Sequence, residues 1–199
     1  MRIGICGGTF DPFHRGHLDP VLAARGEMGW DRIVYVVANR QPLKMEWDTA
    51  SPSHRFAMAS MATLSHDEIF VSDLELERGE VSYTIDTLER FRQQHPAADL
   101  DWIIGDDNVE GLPRWRDVDR LFALARFVVL TRAGVPAVPA ELQKRASVGR
   151  LVFAHNATVP VSSTEIRRRI DVDEPIDGLV DPLVSRYIQH YRLYQGARS

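Results

Sequence analysis

The chain has 199 residues, enough for one sizeable core, and its 44% apolar and 26% charged residues are an ordinary globular composition. A formal net charge of -4 gives no electrostatic case for nucleic acid or an anionic membrane. The single cysteine, Cys6, excludes an intrachain disulfide, and Arg126 and Arg132 interrupt the best candidate for a membrane span of roughly 18 residues. The N-terminus enters a strand without a signal-like apolar region, so the reading is one soluble, cytoplasmic domain, residues 1–199.

Short apolar runs alternate with helical patterns along the chain. Arg2–Cys6 reads as a buried strand, followed by a glycine-rich turn and a helix over Leu18–Met28. Arg32–Val37 is the second strand, and Ala38–Ala50, with Asn39, Pro42, Lys44 and Trp47 out of period, reads as a loop. Ser51 can cap a helix over Pro52–Leu64, with Pro52 at its first position. Ile69–Val71, Leu100–Gly105, Phe127–Thr131 and Leu151–Phe153 are further strands, with helices over Tyr83–His95 and Val118–Ala125 between them. Ala133–Pro139 reads as a loop, and Pro182–Tyr194 as a closing helix with Val184, Ile188 and Tyr191 on one face. Continuous apolar strands alternating with helices predict an α/β fold, a doubly wound and mostly parallel sheet.

Two motifs carry chemistry. The first is Gly7-Gly8-Thr9-Phe10-Asp11-Pro12-Phe13-His14-Arg15-Gly16-His17-Leu18, between the first strand and the first helix. Backbone N–H groups at such a helix entrance, with the positive end of its dipole, receive phosphate. Gly7 and Gly8 let the backbone approach a ligand and take positive φ where the turn needs it. His14 and His17, at i and i+3, can both donate to phosphate oxygens. The alternatives are a tight turn with two surface histidines, or an incomplete zinc shell. The turn is neither a Walker loop nor a G-x-G-x-x-G fingerprint, so hydride chemistry has no local support.

The second motif is Ser162-Ser163-Thr164-Glu165-Ile166-Arg167, at the start of another helical pattern. It gathers hydroxyl and N–H donors at a positive helix end, and Arg167 can fork onto phosphate. A capping box between Ser162 and Glu165 is the competing reading.

Together these motifs closely resemble the paired signatures of the nucleotidyltransferase superfamily that carries His-x-Gly-His. Ser82 to Leu88, Ile104-Gly105-Asp106-Asp107, Leu112 with Trp115, and Val184, Tyr187, Ile188, Leu193 and Tyr194 resemble its bacterial nicotinate-mononucleotide adenylyltransferases. The resemblance implies a Rossmann-like fold and adenylyl transfer from ATP to nicotinate mononucleotide, giving deamido-NAD and pyrophosphate.

The same resemblance implies site roles. His14, His17 and Arg167 would be catalytic. Gly8, Thr9, Phe10, His14, His17, Gly105, Asp107, Ser163, Thr164 and Arg167 would bind ATP. Gly7, Gly8, Thr9, Asn39, Lys44, Thr84, Trp115 and Arg132 would hold the acceptor nucleotide. Magnesium (Mg2+) would sit on the ATP phosphates, with few or no protein ligands. Trp115 could instead be a core-edge aromatic, and Asp107 a helix cap. Departures from the pattern are Asp106, where a small residue is usual, and the loosely matching Gln41-Pro42-Leu43-Lys44. Nicotinamide mononucleotide or phosphopantetheine as acceptor, and a non-catalytic nucleotide-binding regulator, are the rival readings. A homo-oligomer is compatible with the sequence.

Overall fold

The computed structural model describes residues 1–39, 50–77, 83–131, 137–155 and 160–196. The described residues form β1 (Arg2–Gly8), α1 (Arg15–Met28), β2 (Arg32–Val37), α2 (Pro52–Thr63), β3 (Ile69–Ser72) and α3 (Thr84–Gln94). They continue with β4 (Asp99–Gly105), α4 (Val118–Leu124), β5 (Arg126–Thr131), α5 (Ala140–Ser147), β6 (Leu151–His155), α6 (Ser163–Asp171) and α7 (Pro182–Tyr191). Single 3-10 turns at Asp106–Asn108 and Leu112–Arg114 follow β4. The strands form one six-stranded sheet in the order β3-β2-β1-β4-β5-β6, and every described pairing is parallel.

Both faces of this sheet are covered, which explains the continuous apolar strands. Along β2, Ile33, Tyr35 and Val37 enter one core cluster, while Val34 and Val36 enter the other. The first cluster takes Val21 and Ala24 of α1, Met58, Ala59 and Ala62 of α2, Ile166 of α6, and Val184 and Ile188 of α7. The second takes Ile85, Leu88 and Phe91 of α3, Leu121 and Phe122 of α4, and Leu142 of α5. Each fully buried Val, Leu, Ile, Phe or Met side chain among these contributes about 1.5–3 kcal/mol.

The central strand β1 carries glycines because indole rings press on both its faces. A Cβ at Gly4 would stand 2.9 Å from the Trp30 ring, and one at Gly7 2.7 Å from that of Trp102. At the start of the sheet, buried Asp101 accepts from Trp30 Nε1 at 2.8 Å and from Arg126 Nε at 2.9 Å. This ion pair joins β4 and β5 to the segment after α1.

Three element expectations change. The helix α1 begins at Arg15 rather than Leu18, with His14 in extended backbone as its N-cap. The closing helix stops at Tyr191 because Arg192 turns left-handed (φ 52°) and ends the helical path. The helix α5 is an addition that the apolar pattern does not announce, since Leu142 is its one buried residue. Of the expected loops, 40–49 and 132–136 lie outside the described residues.

Candidate active site

β1 lies between β2 and β4, so the chain's crossovers leave it on opposite sides of the sheet. That makes the carboxyl end of β1 the switch point, where open parallel sheets hold ligands. Gly8 pairs with Val37 at this edge, and Asn39 follows directly on β2. Gly105 ends β4 beside it.

The first motif wraps this edge in an unexpected way. Neither Gly7 nor Gly8 has positive φ; the left-handed residue of the turn is Phe10 (φ 53°). The expectation that the glycines supply positive φ is therefore corrected. Their need is spatial: a Cβ at Gly8 would lie 2.7 Å from the Phe10 ring. Phe10 itself is buried, edge-on to Tyr35 at 5.6 Å and to His17 at 5.0 Å. Its side chain belongs to the core, which leaves its backbone to meet a nucleotide. The Asp11–Pro12 peptide is cis.

The two histidines stack, with ring centroids 3.7 Å apart and planes within 22°. His17 Nδ1 accepts the backbone N–H of His14 at 3.2 Å, so in the neutral ring Nε2 carries the hydrogen. His14 is buried, whereas His17 is half-buried. Beneath them the Tyr35 hydroxyl donates to the His17 carbonyl at 2.8 Å, and Phe13 meets the Tyr35 ring edge-on at 4.9 Å. Gly16 is required because a Cβ there would stand 2.9 Å from Val161 and 3.0 Å from the His14 ring.

The second motif meets the first directly. Ser162 is the N-cap of α6, its hydroxyl accepting Glu165 N–H at 3.2 Å. The Glu165 side chain turns instead to Arg168 and Arg169, so only half of a capping box forms. Ser163 Oγ donates to the Pro12 carbonyl at 3.2 Å, and Arg167 Nη1 donates to the Asp11 carbonyl at 2.7 Å. Thr164 is exposed beside them. His14, His17, Ser163, Thr164 and Arg167 thus share one crevice, although some 150 residues separate the motifs (151 from Pro12 to Ser163).

On the other side of β1, Asp107 is exposed within its 3-10 turn, where Asn108 Nδ2 donates to it at 3.0 Å. It is not a helix cap; Gly105 holds that position. Trp115 is half-buried, packed on the second core cluster and 6.3 Å from Phe127, so it is a core-edge aromatic with one accessible part. Thr84 opens α3, whose N-cap, Tyr83, makes no side-chain capping bond. The Arg116 guanidinium lies 4.9 Å over the Tyr83 ring, which brings the segments carrying Thr84 and Trp115 together. Lys44 and Arg132 lie outside the described residues.

Sequence reasoning missed three site-builders. Arg55, 1% exposed, donates to the carbonyls of Thr9 and Ala38 at 2.7 Å and to those of Ala50 and Asn39 at 3.0 Å. Its one sequence signal is an arginine in the buried stripe of α2, in step with Met58, Ala59 and Ala62. Buried Asp11 accepts Ala50 N–H at 3.1 Å and the Tyr194 hydroxyl at 2.6 Å. Burial pushes the Asp11 carboxyl above its ordinary pKa, against the pull of Tyr194, Arg167, Ala50 N–H and Arg55. Burial lowers Arg55, and Asp11 partly restores it.

The cytidylyltransferase-like family model matches residues 5–169, a span that holds both motifs. A relative from Thermoanaerobacter sp. is 37% identical over 98% of this chain and 95% of its own, and one from Opitutus terrae is 39% identical over 98% of each. Both carry the name probable nicotinate-nucleotide adenylyltransferase. The chain belongs to this family.

Among solved structures, the fold is similar to Plasmodium falciparum nicotinic acid mononucleotide adenylyltransferase complexed with NaAD. The TM-score is 0.75, with 21% identity over 97% of each chain. A second structure of that protein, complexed with APC, gives a TM-score of 0.73 at 20% identity over 97% of this chain and 96% of its own. The helix α7 and Tyr194 lie beyond the span of the family model, although Tyr194 bonds to its first motif through Asp11.

Proposed function

We propose that this protein transfers the adenylyl group of ATP to nicotinate mononucleotide. A phosphate oxygen of the acceptor attacks the α-phosphorus, the bond to the β-phosphate oxygen breaks, and pyrophosphate leaves with its electrons. The attacking oxygen is already anionic, so no strong base is required; catalysis rests on alignment and on neutralising the leaving group. The observation that carries this reading is the joining of the two motifs through Ser163 and Arg167 onto Pro12 and Asp11. It sets two stacked histidines and a guanidinium around one crevice at the switch point. Relatives named for this reaction, matching over nearly the whole chain, support it.

In this reading His14 and His17 steady charge on the transferring phosphate, His17 through Nε2–H. Ser163, Thr164 and Arg167 grip the β- and γ-phosphates. Backbone groups of Gly7, Gly8, Thr9 and Phe10 lie along the α-phosphate and the acceptor, Gly105 and Asp107 receive the adenosine, and Asn39 meets acceptor phosphate. Lys44 and Arg132 are assigned to the same acceptor nucleotide by the family resemblance, while Thr84 and Trp115 receive the nicotinate ring.

Magnesium takes oxygen ligands. Among the described residues no three His, Cys, Asp or Glu side chains cluster to hold a metal. The groups that this reading turns to the triphosphate are N–H, hydroxyl, imidazole and guanidinium donors, while the Asp11 carboxylate is buried and engaged by Ala50 and Tyr194. Magnesium would therefore be carried by the phosphates, where it would neutralise charge on the pyrophosphate. No helix among the described residues is long and apolar enough to cross a membrane, and a cytoplasmic enzyme fits the reading.

The test is pyrophosphate release from ATP with nicotinate mononucleotide, nicotinamide mononucleotide and phosphopantetheine in parallel. Turnover with the first, and at least tenfold less kcat/KM with the others, is expected. Preference for the carboxamide would overturn the acceptor, and no turnover with any would overturn the enzyme.

A further inference from the structure

The Asp11 side chain is not needed for phosphate binding in the reading above, yet it is 3% exposed at the centre of the site. Three separate segments converge on this residue. From the C-terminal tail, the Tyr194 hydroxyl donates to Oδ1 at 2.6 Å. From the segment just before α2, Ala50 N–H donates to the same oxygen at 3.1 Å. From α6, Arg167 Nη1 donates to the backbone carbonyl at 2.7 Å and stands 3.8 Å from Oδ2. Oδ2 itself is buried without a hydrogen bond among the described residues, so its principal neighbour is that guanidinium.

The backbone on both sides is bent to make this contact. Phe10, beside Asp11, is left-handed at φ 53°, and the tail is left-handed at Arg192 (φ 52°) and at Tyr194 (φ 62°). Such conformations in residues other than glycine persist where the surroundings over-determine them. The tail is held along its length: Leu193 N–H bonds to the Ile188 carbonyl at 3.0 Å, and Gly196 N–H to Asp171 Oδ1 at 3.0 Å. Asp171 closes α6, the helix that carries Arg167. The Tyr194 ring packs against the first core cluster, so its hydroxyl is delivered rather than loosely placed.

Arg167 has five N–H donors in a rigid fork. Its bonds to the Asp11 carbonyl and, at 3.4 Å, to Thr164 Oγ1 occupy two of them and set the plane of the guanidinium. We propose that Tyr194 and Asp11 are positioning residues for ATP: the Tyr194 hydroxyl holds Asp11, and Asp11 aims Arg167 at the triphosphate. The inference rests on the adenylyltransferase reading for its ligand, and it assigns a role in ATP binding to the C-terminal tail.

Tyr194→Phe keeps the ring and removes only the hydroxyl. It should raise the KM and the calorimetric Kd for ATP about five- to tenfold, leave the KM for nicotinate mononucleotide within about twofold, and leave Tm within a few degrees. In an Asp11→Asn background, where the acceptor is already altered, adding Tyr194→Phe should change the Kd for ATP by less than about twofold. A merely structural tyrosine would instead lower Tm and the active fraction, reducing kcat with the KM for ATP unchanged, and that result would overturn the proposal. So would full additivity of the two substitutions. Calorimetry with ATP alone needs no acceptor, so it reads this network even if nicotinate mononucleotide is not the substrate. A wild-type chain that fails to bind ATP overturns both readings.

Discussion

Arg55→Met is the most demanding test of how the site is built. The guanidinium is 1% exposed and bridges four carbonyls, those of Thr9 and Ala38 at 2.7 Å and of Ala50 and Asn39 at 3.0 Å. Charged hydrogen bonds are worth about 1.5–3 kcal/mol each, so the four together reach about 6–12 kcal/mol before the cost of burying the cation is subtracted. Removing one side of a buried charged network costs about 3–5 kcal/mol net, and the Met side chain fills volume without offering a donor. For a chain of this length that corresponds to a fall in Tm of about 6–20 °C. Urea unfolding at neutral pH, followed by circular dichroism, measures the free-energy loss directly through the midpoint at constant slope. Arg55→Lys should recover only part of the loss, since an ammonium has three donors and no fork. If Arg55→Met unfolds within about 1 kcal/mol of wild type, the view that one buried cation fastens the ends of β1 and β2 is wrong.

Other expectations are more local. His17→Ala should lower kcat about a hundredfold or more if Nε2–H steadies charge in the transition state; unchanged kcat would leave the histidine a structural part only. Gly16→Ala inserts a methyl group 2.9 Å from Val161 and 3.0 Å from the His14 ring. It should cost about 1–3 kcal/mol in urea unfolding, and a neutral result would show that α1 can shift freely. The hydrogen bonds of Arg168 and then Arg169 hold the Glu165 carboxyl at about 2, against an ordinary 4.5. Because this pKa is depressed, its stabilisation is present above 4.5 and is lost as pH falls toward 2. Glu165→Gln should therefore melt slightly below wild type at neutral pH, with the gap closing through that window and shrinking in salt. A gap that widens in acid would contradict the pairing.

The fold was legible where burial imposes a pattern. Runs such as Arg32–Val37 and Phe127–Thr131 are apolar at consecutive positions because alternate side chains enter opposite cores, and that alone implies a covered parallel sheet. The helix α5 left no such mark, since one buried leucine is too little to set a period. Half of the site was equally legible, because His14, His17, Ser163 and Arg167 stand in local motifs whose chemistry their spacing announces. Arg55, Asp11 and Tyr194 act through bonds to partners 5 to 183 residues away, and those bonds leave no periodic trace. The glycines misled for a related reason. Their spacing reads as a loop needing left-handed backbone, whereas the Trp102 ring at Gly7, from a distant strand, and the Phe10 ring at Gly8, folded back from two residues on, exclude a side chain.

The bond between Asp11 and Tyr194 spans 183 residues, and this has a consequence for how the molecule comes into being. Contacts between distant parts of a chain must wait until both ends exist, and closing so large a loop delays their formation. At about 5–20 residues per second, the phosphate turn leaves the ribosome roughly 10–40 s before the tyrosine that seats it. Through that interval the sheet can already assemble around β1, β2 and β4, yet the nucleotide crevice lacks its last support. On the proposed role of Tyr194, full affinity for ATP is thus tied to synthesis of the segment that carries it, and a chain cut before residue 194 would bind ATP more weakly.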